Sequence, residues 1–483
     1  MNLTPRLSLL TPGLPRRISL LTLSLALAAC STPPIPEAGV RPPTRWQGAP
    51  AQATHAWPDR QWWHAFASPT LDRLIERARA NSHDLAAATA RVRQAQANAA
   101  IAGAGRLPEV QLAIDAGRQH LMRGPGYDGL DVSRSYTTST RFDAVLSTRY
   151  EVDFWGGVRG KRNSALRSLE ASRFDRQTVE LTLLSAVADS YLRDLTLAEQ
   201  VRIARLNLSN ADDVLRLVQN RQHAGAASRL ELAQQRGLQA AQQRQVQLLE
   251  QQRQDNRVTL ATLLGEPVQH LPVSAETLTA LRWPSLAGGA PSDLLTRRPD
   301  IAAAEARLAA ASADVQVARA AMLPALQLGV DLGSGARTAA DVFNSPFYTL
   351  SAGLAAPIFN HGRLRAGREL ASAREAELLE DYRTRIIGGF AEVEKALNAL
   401  TGVERQRQWQ DEEVQQAQLA FDLAQQRYGA GAETLLVVLE TQRTLFLAQD
   451  QQVRLRLERL QGSVALYKAL GGGWQVTARG GVD

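Results

Sequence analysis

The chain carries one structural unit twice, and this internal duplication limits the folds that are open to it. Residues 84–115 match residues 300–331 without a gap, beginning with the octapeptides DLAAATAR and DIAAAEAR. A second match pairs residues 221–228 with residues 427–434. Collinear matches across a whole chain indicate a repeated supersecondary unit. Any fold for this chain must therefore be built from one unit placed twice.

The repeat boundaries follow from these matches. We expect repeat 1 at 66–265 and repeat 2 at 293–471, joined by an inter-repeat linker at 266–292 and followed by a C-terminal tail at 472–483. Each repeat has the order helix, two strands, long helix and returning helix. The first helix, at about 71–105, is rich in alanine and ends before a Leu-Pro pair that prevents its continuation. The chain is therefore expected to be an α+β protein.

The second strand of each repeat alternates between apolar and polar residues. In repeat 1 the apolar face of Arg141–Asp153 carries Phe142, Ala144, Leu146, Thr148, Tyr150 and Val152. In repeat 2 the equivalent face carries Tyr348, Leu350, Ala352, Leu354, Ala356 and Ile358. A period of two over about ten residues is typical of transmembrane β-strands, and a half-buried soluble sheet alternates in the same way. The export signal described below favours the barrel.

Two stretches, at about 157–222 and 363–428, have a helical pattern that is interrupted only by isolated glycines. A 66-residue helix spans ~100 Å at 1.5 Å per residue, far more than a globular domain requires. Each stretch turns back at a glycine-bearing loop, 222–228 or 429–434, into a helix of about 37 residues. In the last helix apolar residues recur at steps of seven, at Leu439, Phe446, Val453, Leu460 and Tyr467. This narrow stripe is typical of a coiled coil.

The N-terminus has the features of a bacterial lipoprotein signal. Positively charged residues precede a short apolar stretch at 18–29, which ends in the sequence Leu-Ala-Ala before Cys30. This end resembles a lipobox, in which the cysteine sulfur receives a diacylglycerol before the peptidase cuts; an ordinary secretory signal that happens to contain a cysteine is the alternative. We expect a signal peptide at 1–29, a lipid on Cys30 and a Pro-rich, lipid-anchored tether at 30–65. Ser31, in place of aspartate, resembles the sorting signal for the outer membrane of Gram-negative bacteria.

Several other classes of function are disfavoured. Cys30 is the only cysteine, which excludes a disulfide framework and a cysteine zinc site. The formal charge of +7 is carried mostly by arginines interleaved with Gln and Glu, a pattern of solvated helix surfaces that does not suggest nucleic-acid binding. The seven histidines form no pair at metal-ligand spacing, and no nucleophile lies in a recognisable catalytic motif. We expect no enzymatic activity, no metal and no cofactor other than the covalent lipid.

Four strands in each chain cannot close a barrel, since about eight is the minimum. An open sheet edge in lipid would leave unpaired backbone groups that cost several kcal/mol each. Two copies would give eight strands around an interior filled by side chains, and three would give twelve strands around a lumen. The strand pattern therefore predicts a hollow oligomer.

The chain resembles the TolC-like outer membrane factors, specifically the OprM/NodT-type efflux lipoproteins. The resemblance covers nearly all of the mature chain, and its most specific parts are the segment 293–308, which resembles the signature that opens the second repeat, and the segment 427–442, which resembles the inner tip hairpin. It implies a homotrimer with a 12-stranded outer-membrane β-barrel, four strands per chain, continued by a long periplasmic α-helical coiled-coil barrel.

This resemblance also implies a function and partners. The chain is expected to be the outer-membrane channel of a tripartite efflux system, a passive exit duct anchored in outer-membrane lipid that docks to a periplasmic adaptor (membrane fusion) protein and to an inner-membrane transporter of the resistance-nodulation-division (RND) type. The alternative is a periplasmic coiled-coil adaptor or scaffold lipoprotein, which would have one hairpin flanked by β modules. The sequence does not encode the cargo.

The resemblance further implies roles at the hairpin tips. Tyr428 and Glu231 occupy the positions of a contact that holds the closed tip, while Leu436 and Glu440 occupy those of an apolar and an acidic ring that narrow the pore. Two positions depart from the family pattern, with Val437 in place of a second acidic ring and Glu433 in place of an arginine. Alternatively, Tyr428 and Leu436 are seam residues, and Glu440 is a solvated flank. The residues expected at the adaptor-docking tips are Arg221, Gly225, Ser228, Arg427, Gly431 and Thr434.

Overall fold

A computed structural model describes residues 36–48, 57–120, 138–272, 275–284 and 289–475 of the chain. Cys30, the signal peptide at 1–29 and the first residues of the predicted tether lie outside this part. The chain divides into two compact units: one contains 100–165 and 308–376, and the other contains 38–99, 166–307 and 377–483.

Eight α-helices and four β-strands are found in the described part of the chain. The helices are α1 (Pro69–Asn81), α2 (His83–Ala104), α3 (Gly157–His223), α4 (Arg229–Leu263), α5 (Leu294–Arg297), α6 (Pro299–Ala320), α7 (His361–Gly429) and α8 (Leu435–Ala469). The strands are β1 (Glu109–His120), β2 (Thr138–Val152), β3 (Ala325–Ala336) and β4 (Pro346–Ala355). Short 3₁₀ helices lie at Trp62–Phe66, Val268–His270, Pro291–Asp293 and Ala339–Asp341.

The strands form one antiparallel sheet in the order β1-β2-β3-β4. Its register places Leu146 opposite Leu112 on one side and Leu332 on the other, so the predicted apolar residues share one face. That face is open in the single chain, with Ile114 77% and Leu350 70% exposed. β4 ends at Ala355, so Ala356 and Ile358, expected on this strand, lie beyond it. Pro357 explains this end, because proline has no N–H to donate to a strand ladder.

The long helices begin and end within two residues of the predicted positions, at Gly157–His223 and His361–Gly429. The returning helices α4 and α8 have 35 residues each, close to the predicted length. The glycines within the long helices do not interrupt them. A glycine weakens a helix by only about 1 kcal/mol, far less than a proline does. No helix within the described ranges combines the length and the apolar character needed to cross a membrane.

The first predicted helix is wrong in one respect, since residues 71–105 form two helices and not one. The chain breaks at Ser82, which is extended (ψ 122°), and the Ser82 hydroxyl accepts a bond from the backbone N–H of Leu85. Gly265 at the end of α4 packs against this break, and a Cβ there would lie 2.5 Å from the Asn81 carbonyl oxygen. The close approach requires glycine and fixes the break.

Repeat 2 contains the same break between α5 and α6. Arg298 is extended there (ψ 121°), and Gly471 at the end of α8 packs against the Arg297 carbonyl as Gly265 packs against Asn81. The duplication therefore includes the contact between the glycine after each returning helix and the helix break at the start of the same repeat.

The segment 36–48, expected as part of a tether, is packed along α7. Both carboxylate oxygens of Glu394 accept backbone bonds from it, one from the N–H of Gln47 at 2.8 Å and one from the N–H of Gly48 at 3.0 Å. Arg383 Nε donates to the Ala38 carbonyl at 2.8 Å, and the Trp46 side chain is buried. This strap, residues 36–48, is therefore bonded to α7 near both of its ends.

The aromatic residues that follow the strap form the largest apolar core of the helical unit. Trp62, Trp63 and Phe66 pack with α1, with the middle of α3 and with the C-terminal parts of the returning helices α4 and α8. The ring of Trp62 stacks on Tyr467 with 5.0 Å between their centroids. This core joins α3 and α4 of repeat 1 to α8 of repeat 2.

Candidate gate at the helical hairpin tips

The two hairpin tips have the same backbone geometry. Gly225 (φ 73°) and Gly431 (φ 75°) adopt the left-handed conformation that glycine takes without steric cost. After each glycine the N–H of the next residue bonds back to an arginine carbonyl, from Ala226 to Arg221 at 2.7 Å and from Ala432 to Arg427 at 2.9 Å. This closure is a Schellman motif. The repeat-equivalent arginines and glycines therefore serve one turn structure.

The residues that follow the turns differ between the tips. Ser228 caps α4 in a reciprocal capping box: its hydroxyl accepts from the Glu231 N–H at 3.2 Å, and its own N–H donates to Glu231 Oε2 at 2.6 Å. Thr434, the equivalent residue within the described chain, makes no side-chain bond to the start of α8. Val437 stands where Glu231 stands in repeat 1, so the tip of repeat 2 has no carboxylate at this position to accept a bond from the backbone N–H of Thr434.

Tyr428, Glu231 and Arg221 meet between the two hairpins. Tyr428 is 1% exposed, and its hydroxyl donates to Glu231 Oε1 at 3.5 Å. The Arg221 guanidinium lies over the Tyr428 ring, 4.6 Å from its centroid, and Nη1 of Arg221 donates to the Tyr428 carbonyl. Burial, with the Glu231 carboxylate beside it, raises the pKa of the Tyr428 hydroxyl. One aromatic residue of repeat 2 is thus held by two charged residues of repeat 1.

Arg221 is the residue of this cluster whose place the sequence did not predict. We expected it at the docking tip together with Arg427, its repeat equivalent. In the structure Arg427 instead lies 4.0 Å from Glu433 of its own turn, while Arg221 reaches across to the other hairpin. A signal was present, because Tyr428 in repeat 2 replaces Gln222 of repeat 1 and supplies an aromatic face for a cation.

Leu436 and Glu440 lie apart from this cluster, on the exposed side of α8. Leu436 is 64% exposed, and Glu440, one helical turn later, is also exposed. The neighbouring residues Leu435 and Val438 are the ones buried in the seam with Phe421. Leu436 is therefore not a seam residue of the single chain, whereas Tyr428 belongs to the buried cluster as well as to the tip contact.

Two further predictions concern the lipid on Cys30 and metal binding. Cys30 lies outside the described residues. Within the described part of the chain, no three His, Cys, Asp or Glu side chains come close enough together to hold a metal ion.

The chain was compared with known proteins. The family described as outer membrane efflux protein matches residues 74–266 and 290–472. The pyoverdine export outer membrane protein OpmQ of Pseudomonas putida is 66% identical over 96% of this chain and 98% of its own length. The protein of the same name from Pseudomonas aeruginosa is 57% identical, with the same coverage.

Among solved structures, the outer-membrane channel OprN superimposes with a TM-score of 0.84 and 27% identity, covering 92% of this chain and 99% of its own. The adaptor alternative predicts a single hairpin, whereas the chain has two hairpins that alternate with strand pairs. Since the family match covers both repeats and the relatives span nearly the whole chain, the chain belongs to the outer membrane efflux protein family.

Proposed function

We propose that three copies of this chain form a passive exit duct, with a 12-stranded barrel in the outer membrane and a helical tunnel in the periplasm. The observation that carries the proposal is the four-stranded sheet, which has an exposed apolar face and two edge strands, β1 and β4. Lipid would cover the apolar face, and strands of neighbouring copies would pair with the edges. Eight strands would leave the barrel interior filled, whereas twelve leave a lumen for solutes.

The contact of Tyr428 with Glu231 and Arg221 is the proposed lock of the closed tip. It joins the two hairpins, and its polar bonds are partly buried, which makes them stronger than bonds fully exposed to water. Leu436 and Glu440, on the exposed side of α8, would face the pore axis. Three Glu440 carboxylates around that axis would attract cations and repel anions.

The proposed partners are a periplasmic adaptor and an inner-membrane RND-type transporter. Both turns are exposed and have the same left-handed glycine geometry, while Arg427 is exposed and Arg221 is half-buried against Tyr428. An adaptor with repeated sites could therefore bind at equivalent places on both hairpins, at Arg221, Gly225, Ser228, Arg427, Gly431 and Thr434.

Single-channel recording in planar bilayers tests the duct and the lock together. The wild-type protein is expected to give a small, cation-preferring conductance, which rises in Tyr428→Phe and in Glu231→Ala because each variant removes the bond between the hairpins. Tyr382→Phe, which removes a hydroxyl earlier in α7, serves as the control and should leave the conductance unchanged. Pores whose conductance is the same in all four proteins would contradict the lock but not the duct.

The proposed lipid on Cys30 has a separate test. Cys30→Ala should abolish labelling of the protein by radioactive palmitate in growing cells, because the chain has no other cysteine. The Tyr382→Phe variant, with Cys30 intact, should be labelled as the wild type is. Continued labelling of Cys30→Ala would contradict the lipidation site.

We propose pyoverdine as cargo, because both relatives with more than half of their residues identical are named for its export. Expression of this chain in a pyoverdine-producing Pseudomonas strain that lacks its own export outer membrane protein should return pyoverdine fluorescence to the medium. Retention of the fluorescence in the cells, with the chain present in the outer membrane, would contradict this cargo while leaving the channel function intact.

A further inference from the structure

Three glycines lie on the polar face of β3. Gly329, Gly333 and Gly335 alternate with apolar residues such as Leu332, and they share their face with Asp331. The register places this face next to the polar side of β2, with Gly335 opposite Asp143. If the polar face lines the lumen, as the proposed function requires, β3 contributes a column almost without side chains to the wall.

Side chains from both neighbouring strands occupy the space over this glycine column. Phe347 of β4 is directly opposite Gly333, and a Cβ on Gly333 would lie 2.7 Å from Phe347 Cζ and 3.0 Å from Val145 Cγ2. The Phe347 ring is 46% exposed although it lies on the polar face. A ring that covers the glycine of a paired strand in this way compensates for the missing side chain.

The other two glycines are covered in the same manner by polar side chains. A Cβ on Gly329 would lie 3.1 Å from Arg149 Nη1 and would clash with the Ser351 hydroxyl. Arg149 reaches over β3 to pair with Asp331, with 2.8 Å between Nη1 and Oδ1. At Gly335 the atom in the way is the Asp143 carboxylate. Side-chain ends of neighbouring strands therefore lie against the backbone of β3 at all three positions.

We propose that the glycine column of β3 sets the free width of the barrel section of the lumen. Side chains that cross a glycine of β3 lie flat against the barrel wall. If a larger residue replaces that glycine, these side chains must move toward the lumen. This inference rests on the proposed function, since it needs the polar face of the sheet to line a pore. It makes Gly329, Gly333 and Gly335 the residues that determine the width of the barrel section.

The same face offers matched controls. Gly117 of β1 and Gly353 of β4 also point to the polar side, but a Cβ on either would meet no atom of the described chain within 4 Å. Alanine at these positions adds the same methyl group to the same wall without displacing a neighbour. Any difference between the two kinds of glycine therefore reports the displaced side chain and not the added methyl group.

Polymer exclusion in planar bilayers tests the proposal, with polyethylene glycols of graded size added on the side of the barrel mouth. Gly333→Ala is expected to exclude the largest polymer that enters the wild-type barrel from this side, whereas Gly353→Ala should admit it. The double variant Gly333→Ala/Phe347→Ala should admit it again, because the ring that was lifted is gone. Gly335→Ala, alone and with Asp143→Ala, repeats the test at a second position in case Gly333→Ala does not assemble.

The outcomes separate this inference from the function on which it rests. The same polymer cut-off in Gly333→Ala, Gly335→Ala and wild-type pores would overturn the role of the glycine column and leave the duct intact. A cut-off that falls equally in Gly353→Ala would overturn it too, since the methyl group alone would then be responsible. A wild-type protein that forms no pore would overturn the proposed function and this inference with it.

Discussion

At the scale of single residues, Asp189 of α3 has a carboxyl group that the fold does not favour in its charged form. Its Oδ1 is buried and finds no hydrogen-bond partner among the described residues. Burial raises the pKa of this carboxyl from 3.8 to about 6, although the positive charge of Lys468 acts in the opposite direction. The folded state therefore binds this proton more tightly than the unfolded state does. The stability of the fold accordingly falls as the pH rises from about 4 to about 6.

Asp189→Asn should remove this pH dependence. Above pH 6 the variant should be more stable than the wild type by up to about 3 kcal/mol, since one pKa unit corresponds to 1.36 kcal/mol, and below pH 4 the difference should vanish. Thermal unfolding of the detergent-solubilised full chain at pH 4 and at pH 7.5 measures both. Asp213→Asn, at an exposed carboxylate, should change little at either pH. An equal shift of Asp189→Asn at both pH values would contradict the burial argument.

At the scale of elements, the two tips differ in how their returning helices begin. The capping box of Ser228 satisfies two backbone N–H groups that a helix start otherwise leaves open, whereas α8 begins without it. The same carboxylate, Glu231, serves the cap and the contact with Tyr428. The cap of α4 and the proposed lock are therefore one connected arrangement.

Ser228→Ala should therefore weaken both the cap of α4 and the proposed lock. Loss of the cap should cost about 1 kcal/mol at the start of α4 and should speed hydrogen exchange of the Glu231 amide, which donates to the Ser228 hydroxyl. Thr434→Ala is the matched control and should leave exchange at the start of α8 nearly unchanged, since Thr434 makes no such bond in the described structure. Comparable acceleration at both tips would show that the cap has no special role.

The sequence predicted the long elements well and one junction badly. The helices α3 and α7 were placed within two residues because a helical period without proline extends over more than sixty residues in each. The break at Ser82 was missed because its cause, Gly265, lies far away along the chain. Pro299 in repeat 2, at the position equivalent to His83, was a local signal of the same break.

The candidate site shows the same division between local and distant causes. The turns at Gly225 and Gly431 could be predicted, because their glycines recur at equivalent positions in the repeats. The pairing of Tyr428 with Glu231 came only from resemblance, and the stacking of Arg221 on Tyr428 was not predicted at all. Contacts between the repeats depend on how the hairpins pack together, which no pattern within one hairpin encodes.

At the scale of the whole molecule, the sheet tests the proposed assembly most directly. Leu350 of β4 lies on the exposed apolar face, and Ser351, next along the strand, lies on the polar face. The two positions differ only in whether lipid or lumen would surround them. A charge on each should therefore have opposite consequences in a membrane barrel.

Leu350→Arg should lose assembly into the outer membrane, since arginine facing lipid costs about 2–4 kcal/mol at the bilayer midplane in each copy. Ser351→Arg should assemble and change the ion preference of the pore. The amount of oligomer extracted from outer membranes by mild detergent, sized by native mass spectrometry, measures this, and three chains are expected in the wild-type particle. Equal yields from both variants would contradict a lipid-facing sheet.

The unequal caps of the two turns also bear on the symmetry of the assembled particle. Six turns would lie around the end of a three-chain cylinder. Each turn stabilised by the capping box would have neighbouring turns that lack it. Such an end has threefold and not sixfold rotational symmetry. Thermal motion would then loosen the three turns that precede α8 first. The end of the channel would open by movement of these three turns, while the three turns that precede α4 stay in place.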